Sequence, residues 1–148
     1  MNNEKLPAVL APCGLNCGKC MAYAEGEIRY HGEKLKELLG SFDGYAERFK
    51  KFRPVFEHYP AFMALLEHFT KAECRGCRAG DCTYPNCGVA ACYKGKKVDF
   101  CFQCDEFPCA KTNFDENLKA RWIAMNTRMK EVGVERYFEE SKDAPRYV

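Results

Sequence analysis

The chain has 148 residues, a length for one modest domain, and its 47% hydrophobic and 14% aromatic content is enough to build a core. Its formal charge is +2, from 23 basic and 21 acidic side chains, which argues against a strongly cationic nucleic-acid binder. The longest apolar runs, such as residues 61–66, fall far short of a membrane span. Glu4 and Lys5 precede only a very short apolar stretch, so the N-terminus makes a poor signal peptide. A cytoplasmic protein with no membrane partner is expected.

In chain order, residues 6–16 read as an extended or turn segment punctuated by Pro7, Pro12 and Gly14. A helix is predicted from about Gly18 to Leu39, with Met21, Ile28, Leu35, Leu38 and Leu39 contributing an apolar face. Gly40 suits its stop, while Gly26 and Gly32 weaken it. Phe42, Tyr45, Phe49 and Phe52 then recur at helical spacing over residues 43–53, and Pro54 ends or kinks that stretch. Residues 59–69 carry Phe62, Leu65, Leu66 and Phe69 in the same manner. Core packing is the common fate of such rings; an aromatic cofactor box is the sharper alternative.

Residues 71–110 differ in kind. Gly76, Gly80, Pro85, Gly88, Gly95 and Pro108 predict loops, knuckles and very short strands. Such a stretch buries little apolar area and needs a staple to hold one shape. Beyond it, Phe114, Leu118, Trp122, Met125, Met129 and Val132 form one helical stripe. Asn113 is the natural N-cap, with Glu116 as its capping-box partner, and Gly133 is the natural stop. A short helix from Val134 to about Ser141 follows, then an exposed tail containing Pro145. The expected fold is a single, mainly α domain. It has a cysteine motif and helices over 12–70, irregular metal-stapled loops over 71–110 and C-terminal helices over 111–148.

Eight of the eleven cysteines lie between Cys74 and Cys109. Counting Cys74, Cys77, Cys82, Cys87, Cys92, Cys101, Cys104 and Cys109, the intervals are x2, x4, x4, x4, x8, x2 and x4. Thiolates this dense bind soft metal, pair as disulfides or do redox chemistry. A reducing compartment favours metal, and the odd total of eleven argues against a pure disulfide framework. In Cys74-Arg75-Gly76-Cys77 two intervening residues let both sulfurs reach one tetrahedral ion, and Gly76 relieves the tight backbone. Cys101-Phe102-Gln103-Cys104 repeats the spacing, and two such pairs together are a strong metal signal.

Two groupings stay open. A sequential split places Cys74, Cys77, Cys82 and Cys87 on one ion, in zinc-knuckle spacing, and Cys92, Cys101, Cys104 and Cys109 on another; it closes the shortest loops. A cross-brace would unite Cys74, Cys77, Cys101 and Cys104. Cys13, Cys17 and Cys20 form a further C-x3-C-x2-C set at a predicted helix start, which favours thiolates. Three cysteines need a fourth ligand, and a vacancy is how catalytic zinc differs from structural zinc. The same spacing occurs in the cluster motif of radical-SAM enzymes, but the chain is short for their barrel and has no glycine-rich SAM segment. An iron–sulfur cluster is the alternative at every site, although the C-x2-C-x2-C-x3-C-P ferredoxin run is absent.

The histidines, His31, His58 and His68, read as surface side chains, with His68 the best outside ligand. Two serines leave a serine triad little to work with, and P-loop, GxGxxG and HExxH motifs are absent. Asp105-Glu106 reads as a solvated loop pair. Metal would invert the net charge. Eight thiolates remove eight charges and two zinc ions restore four, giving −2; eleven thiolates and three ions give −3. A mildly acidic metalloprotein weighs against nucleic acid as partner.

The segments CGLNCGKCMAY, ECRGC, CGVAAC, CFQCDEFPC and NTRMKEVGVERYFEESKDAPRY together resemble domain-of-unknown-function family 3795. These are short, cysteine-rich bacterial and archaeal proteins, and the resemblance runs from about residue 12 to the C-terminus. It implies metal binding at the cysteines and supplies no reaction; members have been labelled iron–sulfur proteins. The family's third core cysteine often sits closer to the fourth than Cys82 sits to Cys87, which bears on how Cys82 pairs. The expected function is zinc binding, mainly structural, with an open N-terminal site for a small ligand or protein partner. An iron–sulfur redox protein is the alternative. A zinc-knuckle binder of single-stranded nucleic acid, using Tyr84, Phe100 and Phe102, is the third class.

Overall fold

The computed structural model describes residues 8–148; Glu4, Lys5 and Pro7, with the signal-peptide reading of the N-terminus, lie outside the described residues. Helix, counting 3-10 turns, makes up 57% of the described residues, and no strand forms among them. The helices are α1 (Glu27–Leu39), α2 (Asp43–Phe49), α3 (Tyr59–Thr70), α4 (Val89–Lys96), α5 (Glu116–Val132) and α6 (Val134–Lys142). By contact the chain divides into two compact units. The first joins the N-terminal segment through Cys20 to Cys74–Val148, and the second is Met21–Glu73. This division cuts across the three segments expected from sequence, because the N-terminal cysteine motif packs with the cysteine-rich loops.

In the second unit α1 begins at Glu27, not near Gly18. Gly26 caps it in extended conformation, and Gly18 instead sits in a 3-10 turn, Cys17–Lys19, that belongs to the first unit. Gly40, at φ +50°, ends α1 as expected. α1 packs on α3, where Leu66, Phe69 and Thr70 lie against the buried Gly32, and Lys36 pairs with Glu67. Arg29 donates to the carbonyls of Ala24 at 3.2 Å and Ala72 at 2.9 Å, so one guanidinium holds both ends of the unit. α2 stops at Phe49, and Pro54 opens a 3-10 turn, Pro54–His58, at a position where its missing N–H costs nothing. Phe42 meets Phe49, Phe56 and Tyr59 at ring separations of 5.9, 5.7 and 5.4 Å. The expected core is realised only in part: Phe52 and Leu65 are 66% and 60% exposed. A unit this short has too little interior for all its aromatic side chains.

In the first unit α5 starts two residues later than the capping box predicts. Asp115 is the N-cap, its Oδ1 accepting from the Leu118 N–H at 2.9 Å. Asn113 adopts a left-handed φ of +58° and donates from Nδ2 to the Asn86 carbonyl instead. The stripe on α5 does form the core, with Trp122 and Met129 buried. One cluster gathers Ala11, Cys13, Cys77, Val89 and Trp122; another gathers Leu10, Phe100, Met129 and Tyr137. α4 lies inside a stretch predicted as loops, because Gly88 caps it and Gly95 sits within its last turn. Gly133, at φ +85°, separates α5 from α6.

Long-range side-chain contacts hold the N-terminal segment in place. Asn126, fully buried on α5, donates from Nδ2 to the Cys13 carbonyl at 2.8 Å and the Trp122 carbonyl at 3.0 Å, and accepts at Oδ1 from the Phe102 N–H at 3.0 Å. Tyr137 donates its hydroxyl to the Gly14 carbonyl at 2.8 Å. Arg78 donates to the Leu10 and Asp99 carbonyls at 2.8 and 2.9 Å and lies over the Phe100 ring. Pro145 is exposed as expected, but the tail is tied: Arg146 donates to the Asn16 carbonyl at 2.9 Å, and Lys19 to the Ala144 carbonyl at 2.8 Å.

Asn126→Ala strands a buried N–H and a buried carbonyl, each at about 1–3 kcal/mol, so chemical denaturation should show a loss of roughly 3 kcal/mol or more. Burial, and then the nearby Cys13 sulfur, push the Tyr137 phenol up to about 12. A raised phenol stabilises the fold fully below its unfolded value of about 10 and loses that contribution as pH climbs toward 12. The difference between ultraviolet titrations of the native protein and Tyr137→Phe should therefore centre near 12, and the variant's stability should fall less steeply over that window.

Candidate metal centre

All eleven cysteines fall in the first unit and none is in a disulfide. The three histidines fall in the second unit, and each is exposed. The thiols come from four kinds of local structure. Cys17 opens the 3-10 turn Cys17–Lys19, and Cys20 closes it with an N–H bond to the Cys17 carbonyl at 2.9 Å. Cys101 and Cys104 repeat that turn over Cys101–Gln103, with the matching bond at 3.1 Å. The two closing cysteines have nearly the same backbone, φ −77° and ψ 139° against φ −81° and ψ 135°. Between Cys74 and Cys77, Gly76 takes φ +100°, and its N–H donates to the Cys74 sulfur at 3.3 Å. The sequence expectation for that glycine holds. Cys92 rides on α4, and Cys82, Cys87 and Cys109 sit in loops.

The thiols gather around two hollows. A small one of about 30 Å³ is lined by Cys92, Cys101, Cys104 and Cys109, with Trp122 and Phe107. Its walls depend on a close approach: the Gly88 N–H donates to the Thr112 carbonyl at 3.0 Å, and a Cβ on Gly88 would lie 1.8 Å from the Lys111 carbonyl oxygen. Lys96 and Lys111 both pair with Glu106, which pulls that carboxyl down to about 2 and ties α4 to the loop after Cys104. The Phe107–Pro108 peptide is cis. A larger hollow of about 190 Å³ is lined by Cys13, Cys17, Cys77, Cys82 and Cys87, with Tyr84, Arg121 and Arg146 among its other walls.

Electrostatics follows from burial. Desolvation pushes the Cys77 thiol up to about 12, reinforced by Cys82, Cys17 and Cys87. Desolvation lifts Cys13 further, against a backbone N–H from Leu15. Cys17 is raised by burial, while the Cys77 N–H and the Arg146 guanidinium act the other way. Cys101 rises to about 11 from burial, with the Trp122 indole as the leading opposing influence. Buried thiols of this kind are neutral unless a cation joins them, and a metal ion reverses the balance outright.

Among the described residues no three His, Cys, Asp or Glu side chains already stand in an arrangement that holds a metal ion. The sulfur donors around the smaller hollow are of the kind a soft metal takes, although they are not placed to hold one. The Trp122 N–H is buried and makes no hydrogen bond, and the indole is the leading influence that lowers the Cys101 thiol. A buried indole N–H without a partner is rare, and a metal-bound thiolate is the acceptor that suits it. The smaller hollow joins the second quartet of the sequential grouping. The first quartet is not reproduced: Cys77, Cys82 and Cys87 share their hollow with Cys17 and Cys13, while Cys74 lies outside its lining. The cross-brace is not reproduced either, because Cys77 lines one hollow and Cys101 and Cys104 the other.

Sequence reasoning did not find Trp122, Arg121, Arg146 or Asn126 as parts of the site. Trp122 was legible only as a core residue of the α5 stripe. Arg146 had no signal, lying in a stretch that reads as a free tail.

A family model described as protein of unknown function (DUF3795) matches residues 9–114. The chain belongs to this family. The match takes in all eleven cysteines and both hollows' thiols but ends before α5, so the C-terminal part of the resemblance seen in sequence lies beyond it. No curated protein and no solved structure matches the chain.

Gly88→Ala should collapse the smaller hollow, because backbone oxygen cannot yield to a methyl group. The expected cost is about 3 kcal/mol or more. Amide exchange should show lost protection centred on residues 88–112 before any loss in α1 and α3.

Proposed function

We propose that this protein is a zinc-thiolate protein. Zinc at Cys92, Cys101, Cys104 and Cys109 has a structural role, and the larger hollow is a second soft-metal region open to a small ligand or protein partner. The observation that carries the reading is the convergence of four cysteines from α4, a 3-10 turn and a loop on one ion-sized hollow beside an unpartnered indole N–H. Zinc accepts four thiolates without redox chemistry, and its binding free energy is folding free energy, roughly 10 kcal/mol or more per site. That suits a stretch whose apolar burial is thin. Eleven unpaired thiols fit a reducing compartment, the cytoplasm. No helix among the described residues is long and apolar enough to cross a membrane.

An iron–sulfur reading is supported by a separate observation, the size of the larger hollow and its five cysteines. A nucleic-acid reading has less support. Phe100 is fully buried and stacked on Phe102, and Tyr84 packs edge-on against Phe114 at 5.7 Å, so these rings are engaged internally.

Elemental analysis and a visible spectrum of anaerobically purified protein test the reading. Zinc in a colourless protein is expected; iron with a brown absorption would replace the zinc reading with the cluster reading. Stripping the metal should abolish amide protection over 74–109 before α5 melts. Unchanged protection in stoichiometrically metal-free protein overturns the structural role. Trp122→Phe, which keeps a ring but removes the N–H, should release the Cys109-dependent ion at lower chelator concentration.

A further inference from the structure

We infer that the cleft between the N-terminal turn, α5 and the C-terminal tail binds a small phosphate-class anion, either free phosphate or a phosphate monoester. Lys19, Arg121 and Arg146 come from these three segments and line one hollow of about 170 Å³, with no Asp or Glu in its lining. That volume is several times the roughly 30 Å³ that a water molecule takes in the liquid. No cysteine lines it either, so the inference stands apart from the zinc-thiolate reading. All of the lining belongs to the first unit.

Backbone carbonyls, not carboxylates, hold these cations in place. Lys19 donates from Nζ to the Ala144 carbonyl at 2.8 Å, Arg121 from Nη2 to the Arg146 carbonyl at 2.8 Å, and Arg146 from Nη1 to the Asn16 carbonyl at 2.9 Å. The Ala144 and Arg146 carbonyls are two residues apart, at most about 7 Å of chain, so the ammonium and the Arg121 guanidinium meet the same short stretch. Each bond engages one N–H of a head group that carries several. Cations elsewhere are matched with acids: Arg29 with Glu33, Arg75 with Asp81, Arg128 with Glu140. Among the described residues Lys19, Arg121 and Arg146 enter no such pair, and all three are half-buried. Like charges gathered in a half-buried hollow repel one another, and a bound anion reverses that balance. Two guanidinium forks and an ammonium from three segments suit an anion with several oxygens spread around its centre. A flat carboxylate is satisfied by one fork. Leu15, Met125 and Pro145 add an apolar wall, which suits the carbon group of an ester.

The test is titration of the purified full chain with inorganic phosphate and with methyl phosphate, followed by calorimetry and by amide chemical shifts. Saturable binding of one anion per chain is expected, with shifts concentrated in residues 14–19 and 141–146. Tighter binding of the ester assigns the monoester, and tighter binding of phosphate assigns the free ion. No saturable binding of either overturns the inference. So do shifts centred on residues 77–87 at the larger hollow, or acetate bound as tightly as phosphate. Lys19→Met, Arg121→Gln and Arg146→Gln should each weaken phosphate binding about tenfold or more, since each removes a charge-assisted hydrogen bond. Lys130→Met removes the same charge from an exposed position on α5 outside the lining. It should leave the affinity within about twofold, because solvent and salt screen that charge. An equal loss in Lys130→Met replaces the site with general electrostatic attraction and refutes it. Binding that survives all three cleft substitutions but disappears when metal is stripped places the anion on the metal and refutes it too. Where a cleft variant fails to fold, the wild-type shift map decides.

Discussion

The first unit depends on one buried carboxamide. Asn126 is the point where α5, the N-terminal loop and the Cys101–Gln103 turn meet, and its two donated bonds and one accepted bond satisfy groups from all three. An amide in a 0% exposed position is tolerated only because those bonds are made. Once made, they position Cys13 and Phe102 relative to Trp122, and so bring the larger hollow's N-terminal wall and the smaller hollow's turn into register. A hydrophobic side chain of the same size could fill the space but could not select this arrangement over a slipped one.

The cysteines then work at two levels. As thiols they are small apolar side chains, and Cys13 and Cys77 contribute to the core in that form. As thiolates they would be intolerable there without a cation, which is why desolvation dominates at every one whose acidity is shifted. The two hollows differ in how that charge can be offset. The smaller offers an indole N–H and a rim of Lys96, Glu106 and Lys111, while the larger offers two arginines.

Much of the helical part was legible because its signals are local. The α5 stripe, Gly133 and Gly40 each act within a turn of their own position, and the structure places all three as read. The α5 start was misread by two residues because Asn113 is drawn away to the Asn86 carbonyl, a partner far along the chain that no local pattern encodes. The first helix was over-extended because Cys17 to Cys20 turn as a knuckle, which the C-x2-C spacing allowed but the apolar periodicity obscured. For the site, the density of cysteines was plain, and short loops bring Cys92, Cys101, Cys104 and Cys109 to one hollow. Membership of the larger hollow was not legible, because Cys17 and Cys77 are separated in sequence by residues 21–73, which pack as a unit of their own.

The bonds that fasten the N-terminal segment are among the longest-range in the molecule: Asn126 to Cys13 spans 113 positions, Tyr137 to Gly14 spans 123, and Arg146 to Asn16 spans 130. Residues 21–73 contain both partners of their own helix packing; the segment before them does not. At ribosomal rates of about 5–20 residues per second, it waits on the order of ten seconds for its partners to emerge. Throughout that interval Cys13, Cys17 and Cys20 are bare, solvated thiols, open to oxidants and to whatever soft metal is at hand. Synthesis order thus makes the N-terminal cysteines the first to meet the cell and the last to be enclosed.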